Sequence, residues 1–182
     1  LAVGLGASTA ALVQQRLLGH NLALLNQSCA PLGFEPRLAL AGAGIRPARR
    51  LLLQQRLQAS LSLQGDGSLG TRMQRQFAAG FCRGYGQAVL IGSDLPGLQA
   101  ADLAAAFAAL ERQPLVLGPA ADGGYWLVGL RQSVGALFAG ISWGGDQVLQ
   151  QTLERAQALG LTPALLREQA DLDHPADLEP WR

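Results

Sequence analysis

A chain of 182 residues, 49% hydrophobic and 15% charged, has the length of one domain and can bury a core without disulfides or a structural metal. Its wealth of Leu, Ala and Val excludes disorder, and no stretch of roughly 20 residues escapes polar interruption, which excludes a membrane-spanning helix. All 14 basic residues are Arg, which removes lysine Schiff-base chemistry and the Walker-type phosphate loop, and a net charge of +1 gives no reason to expect nucleic acid as a partner.

In chain order, Ser8 or Thr9 caps an apolar pattern of helical period that continues to about Asn26. Pro31, Gly33 and Pro36 break the chain, and Arg37–Ala41 reads as a short strand. A basic, Gln-rich stretch with Arg46, Arg49, Arg50 and Arg56 reads as a helix. Leu61–Gln64 is extended and ends in a Gly-rich segment, Gly65–Gly70, from which a helix runs through Met73, Phe77 and Phe81.

Gln87–Gly92 is a wholly apolar strand of the kind expected in the middle of a parallel sheet. Ser93–Leu98 follows, then a helix over Ala100–Arg112 and a strand over Leu115–Gly118. After Pro119–Gly124 comes a strand at Tyr125–Gly129, then a helix over Asp146–Leu159 and a late strand at Thr162–Leu166. Strands alternate with helices throughout. The expected architecture is therefore a single domain over residues 1–182, a three-layer α/β, Rossmann-like fold with a mostly parallel sheet.

Charge is unevenly spread. Residues 1–83 carry nine Arg against Glu35 and Asp66, and residues 84–182 carry five Arg against eleven acids. A basic half facing an acidic half suits a phosphate-bearing ligand held with a divalent cation; solvated helix faces explain the same counts. Cys29 and Cys82 show neither zinc nor redox spacing and read as free thiols in a reducing cytoplasm.

In open parallel sheets, ligands bind where loops leave the carboxyl ends of the strands. The three most Gly- and Asp-laden segments, Gly65–Gly70, Ser93–Leu98 and Pro119–Tyr125, all fall at such ends. Asp94, directly after the apolar strand, is a hard oxygen ligand placed for a divalent cation, Mg²⁺ or Mn²⁺, shared with phosphate; capping the next helix is the alternative. Asp122 offers a second carboxylate where Gly123 and Gly124 permit close approach of a ligand, although an Asp-Gly-Gly hairpin turn needs no function.

Backbone N–H groups around Gly65, Gly67 and Gly70 can meet a base or phosphate, with Arg72 one turn into the helix. The letters G-x-G-x-x-G are present there, but no acid follows at about 20 residues, so a dinucleotide fingerprint is not made. On this reading Gly70→Val crowds the nucleotide. His20 reads as a packed or surface histidine, and Ser93 has no histidine at triad distance.

Three runs then stand out together: Gln64-Gly65-x-Gly67-x-Leu69-Gly70-x-Arg72-Met73, Gly92-Ser93-Asp94-x-Pro96-x-Leu98, and Leu117-Gly118-Pro119-Ala120-x-Asp122-Gly123-Gly124-Tyr125-x-Leu127-x-Gly129. They resemble the successive signatures of a bacterial family of A-type glycosyltransferases, or nucleotide-diphospho-sugar transferases, some linked to arsenosugar biosynthesis. That family is similar to the guanylyltransferases of molybdenum-cofactor and coenzyme F420 biosynthesis. Ile141-x-Trp143-Gly144 and Asp171-x-Asp173-x-Pro175-x-Asp177-Leu178 fit its later pattern, with His174 in place of a more usual Thr.

The resemblance implies the A-type glycosyltransferase fold, a nucleotide sugar or nucleoside triphosphate as ligand, a small-molecule acceptor and a divalent cation. Members usually open with a strand and a Pro-Gly…Lys-Thr-Arg-Leu loop. This chain starts at the Leu of that loop, so a first strand is expected upstream of Leu1.

The roles that follow are nucleotide binding by Gln64, Gly65, Gly67, Leu69, Gly70 and Arg72, and cation binding by Asp94 and Asp122. Asp122 is alternatively a base for the acceptor hydroxyl, and Gly123, Gly124 and Tyr125, with Trp126, line the sugar or acceptor. Glycosyl transfer from a nucleotide sugar leads; nucleotidyl transfer with pyrophosphate release and non-catalytic nucleotide binding are the alternatives.

Overall fold

A computed structural model describes residues 6–42, 44–54, 56 and 58–170. Five α-helices and six strands are found there. They are α1 (Ala7–Leu32), β1 (Arg37–Leu40), α2 (Ile45–Gln54), β2 (Ser60–Leu63), α3 (Leu69–Phe81), β3 (Ala88–Ile91), α4 (Ala100–Arg112), β4 (Leu115–Pro119), β5 (Tyr125–Leu130), α5 (Val148–Ala158) and β6 (Pro163–Leu165), with a 3₁₀ turn at Gly135–Phe138 before α5. None of the described helices is long and apolar enough to cross a membrane.

The class is α/β, but the sheet is not the mostly parallel one expected. β1 and β2 pair in parallel as a two-stranded sheet, and the remaining strands form a mixed sheet in the order β3-β5-β4-β6. Within it β5 runs antiparallel to both β3 and β4, and only β4 and β6 are parallel. The mixing comes from the short turn at Ala120–Gly124: a connection that brief joins antiparallel neighbours, because a parallel crossover needs a dozen or more residues.

β3 likewise lies at an edge of its sheet rather than in the middle, pairing with β5 alone among the described residues. Its run of apolar residues has a different cause. Ala88 and Leu90 pack toward Phe77, Leu117 and Leu130, while Val89 and Ile91 pack toward Leu95, Leu110 and Trp126. Both faces are covered, and both must be apolar, whatever the strand's neighbours.

The layers follow from that alternation. Leu115 and Leu117 of β4 face α3, the 3₁₀ turn and α5, and Val116 faces α4. α1 crosses between the sheets: Leu24 joins the cluster under α4, and Phe34 stacks on Phe107 at 5.4 Å. On the other side Leu18, Leu22 and Leu25 pack against Leu51 and Leu52 of α2 and Leu38 and Leu61 of β1 and β2.

Candidate functional site

β3 and β4 both run antiparallel to β5, so their carboxyl ends lie at the same end of the sheet, where β5 begins. The Asp94 loop and the Asp122 turn leave from those ends. They are separated by the width of β5, so their bases stand about 10 Å apart. The third segment arrives by side-chain contact. Trp143 lies against Gly70 at the start of α3, and its ring meets Tyr125 edge-on at 6.4 Å. Two of the three segments picked out in the sequence thus leave the same end of the sheet, and Trp143 links the third to the root of the Asp122 turn.

In the Asp94 loop, Leu95 and Leu98 are buried and anchor the turn. Asp94 Oδ1 accepts from Ser93 Oγ at 3.1 Å and from Gln14 Nε2 of α1 at 3.4 Å. Asp94 does not cap α4. That task falls to Asp102, whose Oδ2 accepts from the Gln99 N–H at 2.8 Å, and the alternative of Asp94 as a helix cap is thereby removed. Asn21, buried in α1, donates to the Ser93 carbonyl at 3.0 Å.

The Asp122 turn is a tight hairpin: the Gly123 N–H donates to Ala120 O and the Ala120 N–H to Gly124 O. Asp122 is exposed, and its Oδ1 accepts from the Gly124 N–H at 2.8 Å, which is the ordinary Asx-turn use of such a residue. Gly123 sits at φ +86°, and a Cβ there would collide with the Asp146 carbonyl. The Gly123 carbonyl in turn accepts from the Leu149 N–H at 2.9 Å. Asp146 is therefore a third exposed carboxylate beside this turn, which the sequence reading had taken only as a helix start. Its signal was the Gly144-Gly145 pair before it.

The Gly-rich segment is pinned by its own helix. Ser68 caps α3, its Oγ accepting from the Thr71 N–H at 3.2 Å. Arg72 Nε donates to Gly67 O at 3.0 Å, and Arg75 donates to the carbonyls of Gln64 and Asp66. Gln64 reaches across to Ala39 O at 3.1 Å, joining the segment to β1. With the carbonyls taken by arginines, Leu69 stands exposed at the helix start.

Gly70 differs from its expected role. It is buried, and a Cβ would lie 2.7 Å from the Trp143 ring and 2.9 Å from the Phe138 carbonyl. Its missing side chain makes room for packing, so Gly70→Val strikes the fold before it crowds any nucleotide.

Tyr125 and Trp126 point into opposite cores. Tyr125 packs with the Phe77 cluster, and burial pushes its phenol well above the ordinary value. Trp126 is 1% exposed and donates from Nε1 to the Arg167 carbonyl at 3.1 Å. The tail run from Asp171 to Leu178, with His174, lies outside the described residues.

Among the described residues, no three Asp, Glu, His or Cys side chains converge as a set able to hold a metal alone. A Mg²⁺ ion bound with substrate phosphates asks for less, one or two carboxylates, which Asp94 or Asp122 could supply. A shallow apolar depression between the second half of α4 and β6, walled by Ala105, Ala109 and Ala164, carries no such groups.

A family model described as an uncharacterized protein conserved in bacteria (DUF2064) matches residues 13–145. A solved structure from Desulfovibrio desulfuricans G20, provisionally described as a nucleotide-diphospho-sugar transferase, is similar at 27% identity and a TM-score of 0.82. The similarity covers 95% of this chain and 74% of that one. No curated protein matches the chain.

Proposed function

The chain belongs to the bacterial DUF2064 family, and from that premise we propose that it transfers a glycosyl group from a nucleotide sugar to a small-molecule acceptor. The observation that carries this reading is the departure of the Ser93–Leu98 and Pro119–Tyr125 segments from the same end of the sheet, with Gly70 of the Gly65–Gly70 segment linked to Tyr125 through Trp143. The likeness to a protein described as a nucleotide-diphospho-sugar transferase supports it.

The chemical problem is a diphosphate leaving group that gains negative charge as the sugar bond breaks. Asp94 and Asp122 would hold a divalent cation together with the substrate phosphates; when bound, the cation neutralises charge on the diphosphate. Ser93 and Gln14 hold the Asp94 carboxylate in place, and the Gly124 N–H does the same for Asp122. The N-terminus of α3 turns its positive end toward the nucleotide phosphates, with Gln64, Gly65, Gly67 and Leu69 lining the nucleoside and Arg72 supporting the loop. Asp122 stands exposed on its turn, where it alternatively takes the proton of the acceptor hydroxyl.

The test is product analysis of the purified full-length protein with sugar nucleotides and, separately, nucleoside triphosphates, each with Mg²⁺ or Mn²⁺. Release of nucleoside diphosphate from a sugar nucleotide is the expected result. Pyrophosphate release from a triphosphate replaces the reading with nucleotidyl transfer. Nucleotide binding by calorimetry with no turnover of either class makes the protein a non-catalytic nucleotide binder.

A further inference from the structure

We propose that Asp102, Arg167 and Gln169 form a positioning clamp that fixes the Asp122 turn against the Asp94 loop; the proposal rests on the transfer reading above. Asp102 sits in the first turn of α4, the helix into which the Asp94 loop leads, and is 6% exposed. Arg167 grips it with two parallel bonds, Nε to Oδ1 at 2.6 Å and Nη2 to Oδ2 at 2.7 Å. The same Nη2 donates to the Gly97 carbonyl at 2.8 Å, within the Asp94 loop itself.

Gln169 supplies the other half. Its Nε2 donates to Asp102 Oδ2 at 3.2 Å. Its backbone is bonded to the Asp122 turn in both directions, the Gln169 N–H to Pro119 O at 3.1 Å and the Ala121 N–H to Gln169 O at 3.0 Å. One carboxylate therefore joins the exit of the first loop to a strap that holds the residues just before Asp122.

The arrangement is better suited to fixing a position than to adding stability. Arg167 is half-exposed, and an ion pair open to water on one side contributes little to folding. A bidentate fork, by contrast, sets angle as well as distance. An error of about 1 Å in the placement of a reacting group costs up to roughly a hundredfold in rate.

Arg167→Met, Arg167→Lys and Gln169→Leu in the full-length protein test this through kcat, donor KM, melting temperature and exchange of the Ala121 amide. Arg167→Met is expected to lower kcat by about ten- to a hundredfold with donor KM changed less than about threefold. Exchange at Ala121 should quicken in Arg167→Met and Gln169→Leu, and Arg167→Lys, which keeps the charge but not the fork, should recover only part of kcat. Leu153→Ala, in α5 and on the other face of the sheet, provides a destabilised variant whose kcat should hold. A kcat for Arg167→Met within about twofold of the parent, or a loss no greater than that of Leu153→Ala, overturns the clamp. If the parent turns over no sugar nucleotide, the transfer reading fails; Ala121 exchange then decides the clamp alone, and unchanged exchange in both Arg167→Met and Gln169→Leu overturns it.

Discussion

Asp94 and Asp122 each commit one carboxylate oxygen to a local donor, Asp94 to Ser93 and Gln14, Asp122 to the Gly124 N–H. Such bonds aim a carboxylate without exhausting it, since each ionised side chain offers about four lone-pair sites. Asp94→Asn keeps the shape and removes the charge, so donor affinity should lose its dependence on Mn²⁺ while the melting temperature stays close to the parent's; calorimetry with and without Mn²⁺ checks both. Gly123 makes the opposite kind of demand. At φ +86° with the Asp146 carbonyl in the way, Gly123→Ala combines backbone strain with a displaced loop. It should cost about 2–3 kcal/mol in denaturant titration. Gly123 was expected to admit a ligand; the group at its Cβ position is this chain's own backbone at Asp146.

At the scale of the element, α4 carries a pH dependence. Burial pushes the Asp102 carboxyl up, but the Arg167 guanidinium, the Gln99 N–H and the Gln169 amide outweigh it and leave the group below its ordinary value. A depressed carboxylate contributes stability above its unfolded value, near pH 4, and loses it as pH falls through the lower folded value. Asp102→Asn should therefore be slightly less stable than the parent at pH 7, by no more than about 1 kcal/mol given the exposed side of Arg167. The gap should close in acid; melting curves from pH 7 to pH 2.5 follow it. The elements themselves were legible. α4 was expected at its observed bounds, and β3, β4 and β5 within a residue or so of theirs. α1 runs past the expected end at about Asn26, through Pro31 to Leu32, and Gly33, one of the three expected chain breakers, ends it at φ 68°. A glycine in the left-handed conformation is a common helix terminator.

For the whole molecule, strand order and direction were not legible, because an apolar run records which faces are covered and not which strand lies alongside. The loops were found through their composition, while the clamp was not: Arg167 and Gln169 lie 65 and 67 residues from Asp102, and no local pattern announces a pairing at that distance. The division into two sheets has a measurable consequence. Among the described residues β1 and β2 pair only with each other and lean on Leu22, Leu51 and Leu52 through α1 and α2, whereas Leu115, Val116 and Leu117 of β4 are fully buried between two strands. Native-state hydrogen exchange should show Leu38 and Leu61 amides opening at a lower free energy than Val116 and Leu117, as a separate cooperative unit. Equal protection across both sheets would contradict that division.

Trp143 touches Gly70 at the mouth of one loop and Tyr125 at the root of another, while Trp126 is sealed beneath the sheet. These two of the chain's three indoles therefore stand in different optical surroundings, one half-open beside Gly70 and Tyr125 and one dry. With Trp181 replaced by Phe, emission from Trp143 is a built-in gauge of that end of the molecule: an occupant settling against α3 changes its colour and its accessibility to a quencher, with no label added, and Trp126 serves as the internal reference.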